Sequence, residues 1–409
     1  MSRFALGVSR AVGRVTEAAL GPYQTAVVRI GFAATWLLFL LREFPHRQEL
    51  YGPDGPWSWD LARRLIADNH AFTVLMWSDS QSWFEAVYAF AVLSSALLLL
   101  GWRTRTMSVL FMVGVLSLQN RSVFVGDGGD NVIHLMAIYL VFTRCGRVWS
   151  LDERRARRAR AARARGESPA ADRAGPALWT VLGLVLAVAT GAGWLAVGWL
   201  VVFWALWAVQ GLWWCVGRRA PRSEFRILLD VIANLVHNAA LLVIMAEACL
   251  IYSTAGWYKI QGSAWQDGTA VYYPLHLDDF SPWPALSDLL SSHGVMVLLV
   301  TYGTVMVQVA FPFTLLNRRA KNVLLAIMMT EHAVIAVVLG LPFFSLAMIA
   351  ADSVFLPVSF LRRMGGWAAR AGGRLVPGGA RAALPGPRGE PAPAGEGETA
   401  APTSASPAA

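Results

Sequence analysis

Lysine is almost missing from this chain of 409 residues, because Lys259 and Lys321 are its only lysines against thirty-three arginines. Arginine stays protonated at any working pH, whereas burial can tune a lysine towards its neutral form. Lys259 lies where a long apolar run ends, in the stretch Ala255-Gly256-Trp257-Tyr258-Lys259. A lysine at this position, in a chain that nearly always uses arginine, indicates that the protein needs a titratable amine there. The competing interpretation is a lysine that snorkels to the lipid headgroups.

Cysteine and charge are scarce as well. Cys145, Cys215 and Cys249 show neither paired nor metal-ligand spacing, which argues against a disulfide framework. Only 15% of the residues are charged and 56% are hydrophobic. Several apolar runs reach the roughly 20 residues that cross a bilayer, and they are continuous rather than alternating. The sequence therefore predicts an all-α polytopic transmembrane helical bundle of about eight to ten spans, without a soluble β domain.

The net charge of +9 is concentrated between the apolar runs. This placement is typical of topology determinants and argues against nucleic-acid binding. The N-terminus lacks a short apolar segment with a small-residue cleavage site, so we expect the first span to be retained. If both termini are cytoplasmic, the arginine-rich links fall on the inner side and Lys259 falls near the outer side. We therefore expect a multi-pass protein of the cell membrane with both termini in the cytoplasm.

Composition divides the chain into six predicted segments. They are a basic N-terminal arm (1–23), the first half of a membrane domain (24–148), an arginine- and alanine-rich cytoplasmic linker that is either a solvated helix or disordered (149–176), an apolar helical hairpin (177–216), the second half of the membrane domain (224–360) and a disordered Gly/Pro/Ala tail (364–409). Ten spans fit this division, at about 24–42, 82–101, 106–120, 131–148, two within 177–216, 226–254, 294–316, 322–340 and 343–360.

Several ionisable residues lie within these spans and need a role. Arg29 is expected to snorkel or to form a structural pair, because an arginine inside a span is costly. Taken alone, each of His134, His237 and His332 is expected to hydrogen-bond a neighbouring helix. For His237, which is next to Asn238, we keep that interpretation. The ionisable pair Glu331-His332 should face the bundle interior or a cavity.

No metal or phosphate site is predicted. The histidines lack a helical ligand spacing such as HExxH. Asp127-Gly128-Gly129-Asp130-Asn131 lacks the length and the terminal glutamate of a calcium loop, so a turn with a helix cap explains it better.

Four stretches together carry a resemblance. The lysine stretch 255–259, followed by Trp265 and Gly268, resembles the lysine motif of the vitamin K-dependent γ-glutamyl carboxylases, and more closely that of their bacterial relatives, the horizontally transferred transmembrane (HTTM) family. The other matches are Asn131-Val132-Ile133-His134 leading to Trp149-Ser150-Leu151-Asp152, His332 followed by 341–349, and Arg29 with the turn 52–56. They cover most of 24–152 and 224–360 in the family's order.

The resemblance implies a reaction and its residues. Lys259 would be the base that deprotonates a quinol, with His134 as its catalytic helper, and Asn131, Tyr258 and His332 would line the cofactor site. The cofactor would be a reduced quinone (menaquinol or vitamin K hydroquinone), with O₂ and CO₂ as co-substrates and no metal. The activity implied is that of a carbon–carbon lyase: carboxylation of an extracytoplasmic substrate coupled to quinol epoxidation.

The chain also departs from the family. Ile133 stands where the animal enzymes carry an amide, the hairpin 177–216 has no counterpart, and the large extracytoplasmic domain that grips protein substrates is missing. Whether carboxylation is retained is therefore open. The alternative from another class is a non-catalytic membrane protein for maturation, export or binding of a secreted peptide. A proton-coupled transporter using Glu331 and His332 is the third reading, and no inverted repeat favours it. The expected partners are the lipid bilayer, a membrane quinol and a secreted peptide or protein, with no nucleic acid.

Overall fold

The computed structural model describes residues 3–168 and 170–375, which form α-helices joined by loops and short 3₁₀ turns, with no strand among them. The predicted all-α fold is confirmed. The helices are α1 (Arg3–Glu17), α2 (Pro22–Glu43), α3 (Arg47–Tyr51), α4 (Trp59–Asn69), α5 (Gln81–Leu100), α6 (Thr104–Arg121), α7 (Gly128–Val141), α8 (Leu151–Ala164), α9 (Ala174–Gly191), α10 (Val197–Arg219), α11 (Glu224–Gln261), α12 (Ser263–Gln266), α13 (Pro284–Ser291), α14 (Gly294–Ala310), α15 (Arg318–Val338), α16 (Pro342–Asp352) and α17 (Val358–Leu375).

Seven of the described helices are long and apolar enough to cross a bilayer, so the chain is a multi-pass membrane protein. They are α2 with its extension (Pro22–Tyr51), α5, α9, α10, α11, α14 with the following turn (Gly294–Thr314) and α15. An eighth is counted if Pro342–Phe355 and Val358–Ala371, which are bent by 119° at their junction, form one span.

Three of the ten predicted spans therefore differ from the structure. Helix α6 is too polar to pass the same criterion, and α7 has 14 residues, about 21 Å, against the roughly 30 Å of a hydrocarbon core. The segment 343–360 is broken after Asp352 by a 3₁₀ turn and Pro357. Because α6 and α7 are buried among other helices, they need no lipid-facing apolar surface of full length.

The core lies where α2 packs against α5 and α16, and α6 against α5 and α7. Small residues let these backbones approach closely, as is usual between membrane helices. A Cβ on Gly31 would lie 2.6 Å from Cβ of Ala350, and one on Gly114 would lie 3.1 Å from Cβ of Ala91. The most deeply buried side chains include Trp36 of α2.

The segment predicted as an apolar hairpin contains α9 and α10, which are joined by a short turn. The indole rings of Trp179 and Trp207 stack at 4.0 Å, and each Nε1–H donates to the other residue's carbonyl, at 3.0 and 2.9 Å. Each ring occupies the space over a glycine of the facing helix, Gly211 under Trp179 and Gly183 under Trp207. Both helices are otherwise largely exposed, as expected for a hairpin at the periphery of a membrane bundle.

Arg29 is buried, at 0% exposure, so it does not snorkel. Its guanidinium donates to the carbonyls of Leu98 (2.5 Å) and Leu99 (2.8 Å) at the end of α5, and to the carbonyl of Trp149 (2.8 Å) before α8. Leu98 and Leu99 lie in the last turn of α5, where carbonyls lack the donors of a following helical turn and can accept from a side chain. Arg29 thus fastens the end of α5 to the turn that leads into the linker.

His237 has the structural role expected of it. Its Nε2 lies 2.8 Å from the carbonyl of Leu20, and its Nδ1 accepts from the backbone N–H of Arg144. Asn238 binds the carbonyls of Val15 and Ala18 at the end of α1. The basic arm is therefore a helix whose end is held by α11.

Both the predicted linker and the start of the predicted tail contain helices. Residues 151–164 form the solvated helix α8, one of the two forms expected for the linker, with Ser150 accepting from the N–H of Glu153 as its cap. Residues 364–375 are helical in α17, not disordered as predicted. The rest of the predicted tail, 376–409, lies outside the described residues.

Candidate functional site

Lys259 lies in the last turns of α11 and is half-buried. Its Nζ donates to Oε1 of Gln308 on α14 at 2.5 Å, and Nε2 of Gln308 donates to Oε1 of Glu331 on α15 at 2.9 Å. The Nζ also lies 4.9 Å from the centre of the Trp265 ring, within the range of a cation–π interaction. One amide thus bridges an amine and a carboxylate from three helices.

Tyr252 lies seven residues before Lys259 on the same face of α11, about 10.5 Å along the axis. Its hydroxyl donates to Oδ2 of Asp352 at 2.9 Å and lies 3.0 Å from Nε2 of His332. Because the tyrosine proton is used on Asp352, the tyrosine oxygen accepts from His332, and this pattern assigns the ring proton of His332 to Nε2. The three side chains are almost completely buried.

The two groups meet on α15, where Glu331 and His332 are adjacent, and together they draw on α11, α14, α15 and α16. We call them the buried polar network: Tyr252, Lys259, Gln308, Glu331, His332 and Asp352. Nδ1 of His332 and Oδ1 of Asp352 are buried without a hydrogen-bond partner in the described part of the chain. Buried polar atoms of this kind are sites for a water molecule or for a polar group of a ligand.

The structure brings only two of the five predicted site residues, Lys259 and His332, into this network. His134 lies on α7, and its Nδ1 is 3.0 Å from Oε1 of Gln119 on α6. Asn131 is exposed at the start of α7, and the side chain of Tyr258 is 73% exposed. No hydrogen bond among the described residues joins these three to Lys259 or His332.

A cavity of about 200 Å³ lies between the start of α7, the end of α2 and the start of α16. Its lining combines Arg42, Asp127 and Asp130 with the rings of Phe39, Phe343 and Phe344. The Phe344 ring also contacts the His332 ring edge to face, at 5.7 Å between centres. One aromatic side chain therefore lies both on this cavity and on the buried polar network.

The acidic turn next to the cavity is a helix cap, as expected. Oδ1 of Asp127 accepts from the N–H groups of Gly129 and Asp130, and Oδ2 of Asp130 accepts from the N–H of Asp127. This reciprocal pattern is a capping box for α7. No group of three or more His, Cys, Asp or Glu side chains placed to hold a metal ion occurs in the described residues.

The second lysine has an ordinary structural role. Nζ of Lys321, near the start of α15, donates to the backbone carbonyl of Phe355. An arginine can donate to a carbonyl equally well. Only at Lys259 is a lysine part of a network of buried ionisable side chains.

Three members of the network were not identified from the sequence, although each leaves a signal. Gln308 is the only amide in the apolar run 294–316, and Asp352 is the only charged residue in 342–360. Polar residues inside membrane spans are rare and usually functional. Tyr252 shares a helix face with Lys259 through the seven-residue spacing. What the sequence does not show is that the four helices bring these residues together.

The comparisons with known proteins give no relative. No protein-family model matches the chain, and searches of curated proteins and of solved structures find no match. Its function must therefore be argued from its own site.

Proposed function

We propose that this protein is an integral membrane enzyme, similar to the vitamin K-dependent γ-carboxylase-like (HTTM) family, that uses Lys259 as a base towards a membrane quinol. The observation that carries the proposal is the setting of Lys259 beside Gln308, Trp265 and Glu331. Of the two lysines in the chain, this is the one that shares a hydrogen-bond network with carboxyl groups and lies near a buried histidine. Ionisable residues inside membrane spans are costly, and a functional role is the default interpretation.

The neighbours of Lys259 suit a proton acceptor. A neutral Nζ offers a lone pair to a hydroxyl proton and keeps an N–H for Oε1 of Gln308. The ammonium formed when the proton arrives is stabilised by that oxygen, by the face of Trp265 and by the carboxylate of Glu331 behind Gln308. Because these groups are already in place, the transfer needs little reorganisation.

The unpartnered atoms of the network fit a ligand with hydroxyl groups, which donate. Oδ1 of Asp352 offers an acceptor, and Nδ1 of His332 offers an acceptor in the tautomer assigned above. Lys259 and His332 would hold the quinol between them. When bound, the quinol would supply the reducing power for oxygen-dependent carboxylation, with O₂ and CO₂ as co-substrates and an extracytoplasmic carbon acid as substrate.

Proton transfer is assigned to Lys259 rather than to His134. The His134 ring hydrogen-bonds the side chain of Gln119, and that pair is separate from the buried polar network. The role of His134 as a catalytic helper remains a prediction from the resemblance. A His134→Gln variant tests it by its rate of quinone epoxide formation.

The test is formation of quinone epoxide by the purified protein supplied with menaquinol and oxygen. We expect Lys259→Ala and Lys259→Arg to lower the rate by about 10²–10⁴-fold, the usual contribution of a general base. The matched control is Lys321→Arg, which keeps a donor for the Phe355 carbonyl and should leave the rate unchanged.

Equal epoxide traces from wild type and Lys259→Ala would contradict the proposal. A photoreactive menaquinone analogue adds a measurement that does not depend on turnover, since it should label peptides of α11 or α15. Failure of both assays would favour the non-catalytic alternative, in which the protein serves maturation, export or binding of a secreted peptide.

A further inference from the structure

Three arginines surround a single indole at the opposite end of α11 from Lys259. The guanidinium carbons of Arg105 on α6, Arg226 on α11 and Arg144 after α7 lie 4.3, 4.5 and 5.5 Å from the centre of the Trp213 ring. Arg147 is a further cation whose charge acts on Arg105. We call Arg105, Arg144, Arg147 and Arg226 the basic cluster.

The basic cluster has more positive charge than its protein neighbours balance. Asp230 is the one carboxylate hydrogen-bonded to it, and both oxygens are used, Oδ1 by Arg144 at 3.0 Å and Oδ2 by Arg226 at 3.1 Å. Arg105 and Arg147 have neither a hydrogen-bond partner nor an ion-pair partner in the described part of the chain. Glu153 adds a second negative charge near Arg147, but it is also ion-paired with Arg160. The four like charges still exceed the carboxylates around them, and they repel each other unless a further anion joins them.

The cluster is open to such an anion. Arg147 is exposed, Arg105 and Trp213 are half-buried, and the Asp230 side chain is 38% exposed. Guanidinium groups present paired N–H donors that match the oxygens of a phosphate. Because Trp213 contacts three of the arginines, it limits the orientations that they can adopt.

We propose that the basic cluster is a binding site for a phosphate group. The group is either that of an anionic lipid headgroup or a free phosphate. A lipid suits the surroundings, since exposed apolar side chains flank the cluster at Leu212 on α10 and at Ile227 and Leu228 on α11. Basic pockets between membrane helices on the cytoplasmic side are a known form of headgroup site.

The experiment measures binding to the delipidated full-length protein in a neutral detergent. Phosphatidylglycerol, phosphatidylcholine and inorganic phosphate are the three probes, with bound lipid counted by native mass spectrometry and bound phosphate by equilibrium dialysis. We expect Arg105→Gln/Arg147→Gln to weaken phosphatidylglycerol binding about tenfold or more, since two sets of charged donors are removed. Phosphatidylcholine binding should be weak and unchanged.

Two control variants separate this site from general surface charge and from misfolding. Arg154→Gln/Arg158→Gln removes two exposed arginines from α8 and should change binding less than about twofold, because their charge is screened by solvent. Arg105→Lys/Arg147→Lys keeps the charge and should retain most of the binding. Arg147→Gln alone removes an exposed side chain, so a loss of affinity in this variant does not arise from unfolding of the core.

Each outcome decides the proposal. If Arg105→Gln/Arg147→Gln loses binding of phosphatidylglycerol, the site holds a lipid headgroup. If this variant loses binding of inorganic phosphate but not of phosphatidylglycerol, the same site takes a soluble phosphate. Equal binding of both probes by wild type and the glutamine variant would overturn the proposal, as would an equal loss in the α8 control.

Discussion

Tyr252 occupies the most demanding position of the buried polar network, because its one hydroxyl serves both His332 and Asp352. Removing this oxygen leaves two buried polar groups without a partner. A buried group that loses its hydrogen bond costs about 1–3 kcal/mol. Tyr252→Phe should therefore lower the free energy of unfolding by about 2–4 kcal/mol, although the aromatic volume is kept.

The measurement is reversible unfolding in mixed micelles, with Tyr302→Phe as the matched control. This substitution also removes a hydroxyl hydrogen bond, but the group left without a donor is the exposed carbonyl of Gln266. We expect a change of about 0.5–1.5 kcal/mol there. Equal effects of the two substitutions would mean that water replaces the lost hydrogen bonds of His332 and Asp352.

Helical periodicity separates the predicted site residues that join the network from one that does not. Tyr258 precedes Lys259 directly, which turns it about 100° away on the helix, and its side chain is exposed. Tyr252 and Gly256 repeat at the spacing that keeps the face of Lys259, and both are buried. The seven-residue spacing therefore places Tyr252, and not Tyr258, on the face of Lys259, while a cofactor contact of Tyr258 stays a prediction from the resemblance.

At the scale of elements, the α9–α10 hairpin depends on two glycines. A Cβ on Gly211 would lie 2.8 Å from Cζ2 of Trp179, whereas Gly198 on the same helix has nothing within 4 Å of such a Cβ. Gly211→Val should therefore separate the stacked indoles and destabilise the hairpin by about 1–3 kcal/mol, the usual cost of overpacking. Gly198→Val should cost less than Gly211→Val.

The rate of disulfide trapping between cysteines placed on facing turns of α9 and α10 measures how closely the two helices approach. Trapping should slow in Gly211→Val and stay unchanged in Gly198→Val. If both variants trap at the wild-type rate, the indole pair does not set the distance between the two helices.

The connection from the linker to the hairpin is pinned by Asp172, whose carboxylate accepts from Arg103 and from the N–H of Gly175. The hydrogen bonds from Arg103 lower the pKa of Asp172 below its ordinary value. A carboxyl with a lowered folded pKa stabilises above its unfolded pKa, about 3.9, and loses this contribution as the pH falls through the folded value.

Asp172→Asn should accordingly cost about 0.2–1 kcal/mol at pH 7, a modest figure because the carboxylate is over one-third exposed and screened by solvent. The difference from wild type should shrink as the pH falls below about 4. Unfolding measured at several pH values checks this expectation. The control is Asp279→Asn, at an exposed aspartate that forms no ion pair within residues 3–168 and 170–375. A difference that stays constant with pH would assign the effect to the Gly175 contact alone.

Over the whole molecule, apolar run length predicted the seven long apolar helices well and the short or polar helices poorly. Helices α9, α10, α11, α14 and α15 were predicted close to their observed places, because a lipid-facing helix must satisfy the bilayer along its length. Helices α6 and α7 and the broken α16 are enclosed by other helices, so their length and polarity follow local packing. The buried polar network draws on both classes, since five of its residues lie on α11, α14 and α15 and Asp352 ends the enclosed helix α16.

Sidedness is the remaining property of the whole molecule, and it links the two proposed sites. Helix α11 is long enough to place the basic cluster and Lys259 about 50 Å apart, which exceeds the thickness of the hydrocarbon core. The arginine-rich links predict that the cluster is cytoplasmic and that Lys259 lies near the outer side.

In a variant without the three native cysteines, Ser292→Cys in the loop before α14 should react with a membrane-impermeant maleimide in intact cells. Ala161→Cys on α8 should react only after permeabilisation. The reverse pattern would put Lys259 on the cytoplasmic side and contradict an extracytoplasmic substrate, while leaving the phosphate-binding arginines to face outer-leaflet lipids.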